Sequence, residues 1–334
     1  MEKGKVKDMT KFNSLSANDR MMAKDSYAHL GKALEKLDPK ILEPLSSTLW
    51  PRDMPVITGG GMVENVATIS VEYASTGKEE DNLIWNNTND IPAIQADLGK
   101  DVSRTFIFSE YMNISYIDGE KFLKTINGRS LEEILNKGVH LHFDKFCDRN
   151  VYLGFTKVHS TGLLNNPKVN RVTAVPHTSG GTDTTWEEKN ADEILADINN
   201  ALTRVWAACD MSPDALPNHL LIPIKQFGQL VNRKVSEDSE RSILTYVMEN
   251  NLTNSQGGNL VISPCKYCAG AGAGGTDRMV VYMNDVDKIR FHQTVNLHRL
   301  ETEIASLTFK TPYIAQISEV EFNYLDTVLY YDGI

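Results

Sequence analysis

Two long stripes of apolar residues set the pattern of this chain. Between residues 130 and 155, Leu131, Ile134, Leu135, Val139, Phe143, Phe146, Cys147 and Val151 recur at spacings of three and four, the period of one buried helix face. Ser130 followed by Glu133 adds a capping box, in which each side chain satisfies a free backbone N–H at the helix start. The pattern predicts a helix over Ser130–Phe155. At about 1.5 Å per residue it spans about 35–40 Å, well beyond the mean globular helix of about 11–12 residues. Such a helix suits a spine against which sheets are laid, with Gly138 as the place where it can bend. The second stripe runs through Ala191, Ile194, Leu195, Ile198, Ala201, Leu202, Val205, Trp206 and Cys209 without a break. Asn190 caps it and Ser212-Pro213 ends it.

Elsewhere the period shortens to two. Val66–Tyr73 (VATISVEY), Arg104–Phe108 and Met112–Ile117 alternate apolar and polar residues, as half-buried strands do. The polar stretch Ala74–Lys100 between them has no core of its own. It reads as a two-stranded excursion, and an isolated hairpin is marginal in water without a partner surface. From residue 163 to 293 short strands at Leu220–Pro223, Leu260–Ile262 and Met279–Met283 interleave with helices at Lys225–Val231 and Asp238–Glu249. This is the signature of an α/β lobe, with Lys288–His292 as the expected pairing partner of Met279–Met283. The tail from Leu300 to Tyr331 is β-rich without a helix and predicts a sheet elsewhere. At the other end, Asn18–Leu37 is helical in pattern, and residues 40–62, with three prolines and three consecutive glycines, read as an extended arm.

Composition narrows the function classes. With 41% hydrophobic and 23% charged residues the chain has an ordinary globular composition. No run approaches the roughly 18 consecutive apolar residues of a membrane span, and the charged N-terminus lacks the apolar core of a secretory leader. Four cysteines, Cys147, Cys209, Cys265 and Cys268, are too few for a disulfide scaffold and fit a reducing compartment. A formal net charge of −10 argues against a dedicated nucleic-acid binder. The charge is uneven: residues 1–40 carry nine Lys/Arg against six Asp/Glu, and residues 300–334 carry Lys310 against six acids.

Candidate chemistry is sparse. Cys265-Lys-Tyr-Cys268 followed by alternating glycines resembles one arm of a DnaJ-type zinc module. Structural zinc needs four ligands, and the other two cysteines sit on apolar helix faces, so a flexible glycine-rich loop is expected instead. The loop Ala269–Arg278 lacks the Gly-Lys-Ser/Thr ending of a phosphate-binding loop and precedes a strand rather than a helix. His140 and His142, two apart on a helix, point to different faces. His292 and His298 have no carboxylate cluster at ligand spacing. No G-x-S-x-G elbow or H-E-x-x-H motif occurs. No catalytic, cofactor-binding or metal-binding residue is therefore expected. Trp85, a large aromatic in a segment without a core, is expected to meet a partner chain.

An extended arm, a β excursion, a spine helix, an α/β lobe and a returning β tail are the parts of an assembling subunit. Their order resembles a tailed-bacteriophage major capsid protein of the Hong Kong 97 fold. The stretches that carry the resemblance are Asp90-Ile-Pro92, the spine helix with Gly162-Leu-Leu-Asn-Asn-Pro167, and Trp186 with Ala191–Ile198. Gly274–Tyr282 and Tyr331-Asp-Gly-Ile334 complete the set. The resemblance implies an α+β fold with an N-terminal arm (1–62), an E-loop with adjoining P-domain strands (63–116), and a P-domain spine helix (117–162). An A-domain (163–298) and C-terminal P-domain strands (299–334) follow, with the glycine-rich loop near the capsomer axis or at the lobe's edge. It implies homo-hexamers and homo-pentamers closing into an icosahedral phage head around double-stranded DNA, assembled in the host cytoplasm. Portal, scaffolding or decoration proteins are the further partners, with no membrane and no cofactor. Trp85, Asp90, Pro92 and Arg104 are the expected subunit-interface residues. Some relatives cross-link a lysine to an asparagine; Lys78 and Lys100 lie in the excursion, but no catalytic acid is identifiable and no cross-link is expected. The alternatives are an encapsulin-like nanocompartment shell, or a small zinc-binding or enzymatic module built on the Cys265/Cys268 loop.

Overall fold

The computed structural model describes residues 48–76, 92–118, 131–178 and 182–334. In chain order the elements are α1 (Trp50–Asp53), β1 (Val56–Thr58), β2 (Asn65–Ser75), β3 (Ile94–Ser115), α2 (Leu131–Leu153), β4 (Asn170–Thr173) and α3 (Ala191–Ala208). Then come β5 (His219–Ile222), α4 (Ile224–Asn232), α5 (Ile243–Asn250), α6 (Leu252–Ser255), β6 (Val261–Pro264), β7 (Arg278–Tyr282) and β8 (Ile289–Gln293). The last are β9 (Val295–Arg299), β10 (Glu303–Ala305), β11 (Thr308–Ser318), β12 (Val320–Phe322) and β13 (Val328–Asp332).

Helix α2 is the spine that the apolar stripe predicts, 23 residues long. It runs unbroken through Gly138, with Val139, Phe143, Cys147 and Val151 buried along one face. Ser130, half of the expected capping box, lies outside the described residues. The other end can be accounted for bond by bond. A helix leaves its last four carbonyls without intrahelical donors. Here Gly154 N–H donates to Asn150 O (2.9 Å), Leu163 N–H to Val151 O (2.7 Å), and Leu164 N–H to Tyr152 O (3.1 Å). Asn165 Nδ2 donates to Leu153 O at 2.6 Å. The Gly162–Pro167 stretch is thus the helix's C-terminal clasp. Gly162 is required by proximity, since a Cβ there would sit 2.4 Å from the Tyr152 carbonyl carbon.

Among the described residues the strands form three sheets. β1-β8-β12 is one, β10-β11-β3-β2 with β9 on β11 is the second, and β4-β13-β7-β5-β6 is the third. The third is buried on both faces. Val328 and Tyr330, Val280 and Tyr282, and Leu221 belong to the core shared with α2. Their alternates Leu329 and Tyr331, Met279 and Val281, and Leu220 and Ile222 belong to the core under α3. Period-two alternation with both faces apolar yields the continuous hydrophobic run VLYY. α3 opens with a reciprocal capping box: Asn190 Oδ1 accepts from Glu193 N, and Glu193 Oε2 from Asn190 N, each at 2.9 Å.

Several expectations change. The C-terminal tail does not form one separate sheet: β11 pairs with β3, but β13 inserts between β4 and β7 in the α/β lobe. β8 pairs with β1 and β12 rather than β7, because both strands of that pairing come from distant sequence. The two runs Arg104–Phe108 and Met112–Ile117 are largely one strand, the 22-residue β3. The arm expected over residues 40–62 is not free at its inner end. Trp50 and Met54 are buried, and Trp50 meets Phe291 edge-on at 5.6 Å. Asp53 accepts from Arg52 Nε at 2.5 Å and from the Tyr152 hydroxyl, while its carbonyl accepts from Tyr282 Oη at 2.6 Å.

Two buried ion pairs hold the lobe. Lys189 Nζ lies 2.6 Å from Asp197 Oδ2, which also accepts from Trp186 Nε1 at 3.0 Å; Tyr331 Oη donates to the other oxygen at 3.0 Å. Arg278 forks onto Asp332 at 2.6 and 2.8 Å, donates to Leu164 O, and lies over the Tyr330 ring at 4.3 Å.

Candidate assembly surface

β2 and β3 form a two-stranded ribbon from the Asn65–Arg104 pair to the Ser75–Ile94 pair. Residues directly opposite in an antiparallel ladder share a face, so the register sorts every side chain. One face carries Ala67, Ile69, Val71 and Tyr73 opposite Val102, Lys100, Leu98 and Ala96, with Ile94 at the outer end. The other carries Thr68, Ser70 and Glu72 opposite Asp101, Gly99 and Asp97. The apolar face is bare: Tyr73 is 78% exposed, Ile94 77%, Ile69 70% and Leu98 69%. An apolar stripe of this length with a polar reverse marks a surface meant for another molecule.

The apolar face continues inward along β3, where it meets the spine. Phe108 packs against Phe143 (5.3 Å) and Phe146 (5.0 Å), and Met112 clusters with Val139. α2 therefore covers the inner half of a face whose outer half is left open. Where cover ends, Phe106, Phe146 and Phe155 line a groove of ≈ 400 Å³ with Arg149 and Lys157 on its rim.

The ribbon is fastened at its base on the polar side. Arg290 Nε donates to Glu321 Oε2 at 2.8 Å, and Arg290 Nη2 to Thr68 Oγ1 at 2.7 Å. His292 Nε2 lies 3.2 Å from the same carboxylate oxygen. Gln316 Nε2 bridges to Thr105 Oγ1 at 2.8 Å. Burial opposes charge on Glu321, but the bonds from His292 and Arg290 outweigh it and hold the carboxyl at about 2, from an ordinary 4.5. A carboxyl depressed on folding stabilises above its unfolded pKa, and that contribution disappears as pH falls through the folded value. The window is pH 4.5 down to about 2. Wild type should lose more unfolding free energy between about pH 5 and about pH 3 than Glu321→Gln does, as read by denaturant titration at both values.

Of the expected interface residues, Pro92 stands just beyond the outer end of the ribbon and Arg104 at its base. Arg104 already has partners within the chain, His159 O at 3.3 Å and Glu319 at 3.6 Å. Trp85 and Asp90 lie outside the described residues. The stripe Ile94, Leu98 and Val102 escapes a reading of Ala74–Lys100 as polar, although alternation within IQADLGKDV carries it.

The motifs weighed for other chemistry go to structural uses. Cys265 and Cys268 are buried in the spine-side core. Burial pushes the Cys268 thiol up, and it donates to Cys265. The glycine-rich loop is not flexible but tied at several points. Gly270 N–H donates to Asp277 Oδ1 (3.0 Å), Ala273 N–H to Asp332 Oδ2 (3.0 Å), and Gly272 N–H to Thr276 O (2.8 Å). His142 pairs with Glu110 at 3.1 Å while His140 is exposed, and His292 gains in Glu321 a carboxylate that β12 brings from 29 residues away. Among the described residues no three His, Cys, Asp or Glu gather for a metal ion, and no helix is long and apolar enough to cross a membrane.

Comparison with curated protein sequences returns no match. Solved structures do match. The capsid of the myovirid phage XM1 superposes with a TM-score of 0.75 at 16% identity, covering 91% of this chain and 98% of that one. The capsid of a native gene-transfer-agent (GTA) particle follows at 0.60, with 10% identity and 91% and 97% coverage. A virus-like particle from Pyrococcus furiosus gives 0.51, with 13% identity and 84% and 91% coverage. The shared architecture is the Hong Kong 97 fold. The family model for the major capsid protein matches residues 80–334, which takes in the ribbon's outer end, the spine helix and both cores. The chain belongs to the major capsid protein family and is a structural protein of phage-type shells.

Proposed function

We propose that copies of this chain associate as hexamers and pentamers that close into the icosahedral head of a tailed phage around double-stranded DNA. The observation that carries this reading is the bare apolar face of the β2–β3 ribbon. Burying a large aliphatic or aromatic side chain is worth about 1.5–3 kcal/mol, and no part of the described chain supplies the cover. A neighbouring copy does so at no cost in new protein, and symmetry repeats the contact around a ring. In this layout the ribbon is the E-loop, α2 with the β3–β11 sheet is the P-domain, and the lobe under α3 is the A-domain. That lobe's sheet includes β13, so the A-domain takes in residues from both 163–298 and the tail. Any arm ends before Trp50. DNA is held without sequence reading, and portal, scaffolding or decoration proteins complete the particle in the host cytoplasm.

A chain lacking residues 75–100 tests the assignment. Expressed alone, wild type should give closed shells by negative-stain microscopy, and the deletion should leave soluble or aggregated subunits. Normal shells from the deletion would remove the ribbon from the assembly contact. A cellular nanocompartment of the same fold is the second reading, favoured by the likeness to the Pyrococcus furiosus particle. Nuclease-protected DNA in particles from the native source separates it from the phage head.

A further inference from the structure

A cavity of ≈ 420 Å³ opens in the α/β lobe where β5 and β6 begin and β7 ends. Pro213, Leu216, Val261 and Met283 give it apolar walls, and His219 and Asn284 are among its polar ones. His219 is 8% exposed, yet neither ring nitrogen has a hydrogen-bond partner among the described residues. The buried Asn284 Oδ1 has none there either. Its amide is held by the other atom, Nδ2 donating to Arg52 O at 3.4 Å, so Oδ1 is the open group. Buried polar atoms are paired in the great majority of cases, and each exception calls for a partner.

The chemistry of that partner follows from the walls. No lining residue is Lys, Arg, Asp or Glu. Burial lowers the His219 pKa below its ordinary 6.5, so the ring is neutral at pH 7, with one nitrogen donating and the other accepting. The charges that act on it, Arg52 and Asp53, are paired with each other at 2.5 Å. A charged ligand would therefore lie in the cavity without a counter-charge. A neutral group is needed that accepts from an imidazole N–H and donates to an amide oxygen, and a carboxamide carries both atoms on one carbon. Water pairs such atoms too, but it leaves the apolar walls wetted. The walls are also fixed beforehand. Val261 N–H donates to Asn218 O (2.8 Å), Asn284 N–H to Asn218 Oδ1 (2.7 Å), and Thr253 Oγ1 to Pro217 O (2.8 Å). We propose that this cavity is a binding site for a carboxamide on an apolar body, with the amide between His219 and Asn284 and the body against Leu216, Val261 and Met283. Two sources carry that chemistry, a free small amide and an Asn or Gln side chain of a neighbouring copy.

Ligand-observed NMR tests the site with benzamide as the probe. Unassembled chains should bind benzamide, and benzoate should bind at least about tenfold more weakly, since it brings a charge and no donor. His219→Phe keeps the ring's bulk and removes both nitrogens. It should weaken benzamide binding about tenfold, with the melting temperature of the variant checking its fold. Equal affinity for benzamide and benzoate, a comparison made on wild type alone, would overturn the site. So would an unchanged affinity in folded His219→Phe, or no binding at about 10 mM benzamide, which would leave the cavity to water. Closed shells separate the two sources. Shells that still take up benzamide point to a free amide as the ligand. Shells that exclude it, built from chains that bind it beforehand, point to the neighbouring copy's side chain.

Discussion

Replacing Asp197 by alanine is expected to lower the melting temperature of the isolated subunit by about 6–20 °C. The carboxylate is buried and holds Lys189, Trp186 and Tyr331 at once. Its removal leaves an ammonium in the core with no counter-charge, which costs about 3–5 kcal/mol, and each kcal/mol moves the melting point of a domain this size by about 2–4 °C. Asp197→Asn keeps the volume but not the charge, so it should lose nearly as much. Adding Lys189→Met to the Asp197→Asn variant should recover part of the loss, because the stranded charge is gone. A double-mutant cycle by calorimetry measures that coupling directly. Full additivity of the two changes would show that the pair is not a unit.

Arg278→Ala should destabilise by a similar amount, about 3–5 kcal/mol, for a different structural reason. Its guanidinium joins three segments that are remote in sequence: the strand β13 through Asp332, the helix clasp through Leu164 O, and its own strand β7. Asp332 also receives Ala273 N–H from the glycine-rich loop. Loss of the arginine should therefore loosen the loop and the end of β13 together. Arg278→Lys should rescue little, since an ammonium cannot make the forked contact. Denaturant midpoints give the magnitude, and amide exchange in residues 269–277 shows whether the loop opens.

These residues mark the limit of what the sequence discloses. Period and end signals are local, and they locate α2 and α3 closely: the stripe through Val139, Phe143, Cys147 and Val151 is the buried face of α2, and the cap at Asn190 is the observed start of α3. The resemblance carried by Gly162–Pro167 has a physical basis in the clasp, where Leu163, Leu164 and Asn165 satisfy helix-end carbonyls. Strand partnership is a different matter. VLYYD is apolar on both faces because it lies between two cores, and nothing in its own pattern says which strands flank it. IRFHQ reads equally well beside Met279–Met283 as beside β1 and β12. The CxxC and glycine runs attract chemical readings because their types are rare, yet here burial and carboxylate tethers use them as packing. The assembly stripe is the reverse case. Ile94, Leu98 and Val102 are ordinary residues in a polar-looking segment; period two puts them on one face, and the register with β2 adds Ile69, Val71 and Tyr73 to it.

The position of β13 bears on how the protein is made. The lobe's sheet lacks an inner strand until residues 328–332 have emerged from the ribosome, and Ile334 beyond it is buried, its carbonyl taken by Gln226 at 3.2 Å. Both cores take side chains from this strand, Val328 and Tyr330 in one and Leu329 and Tyr331 in the other. Translation must pass this strand before either core is complete, so a product interrupted ahead of it has no finished lobe to offer a growing shell.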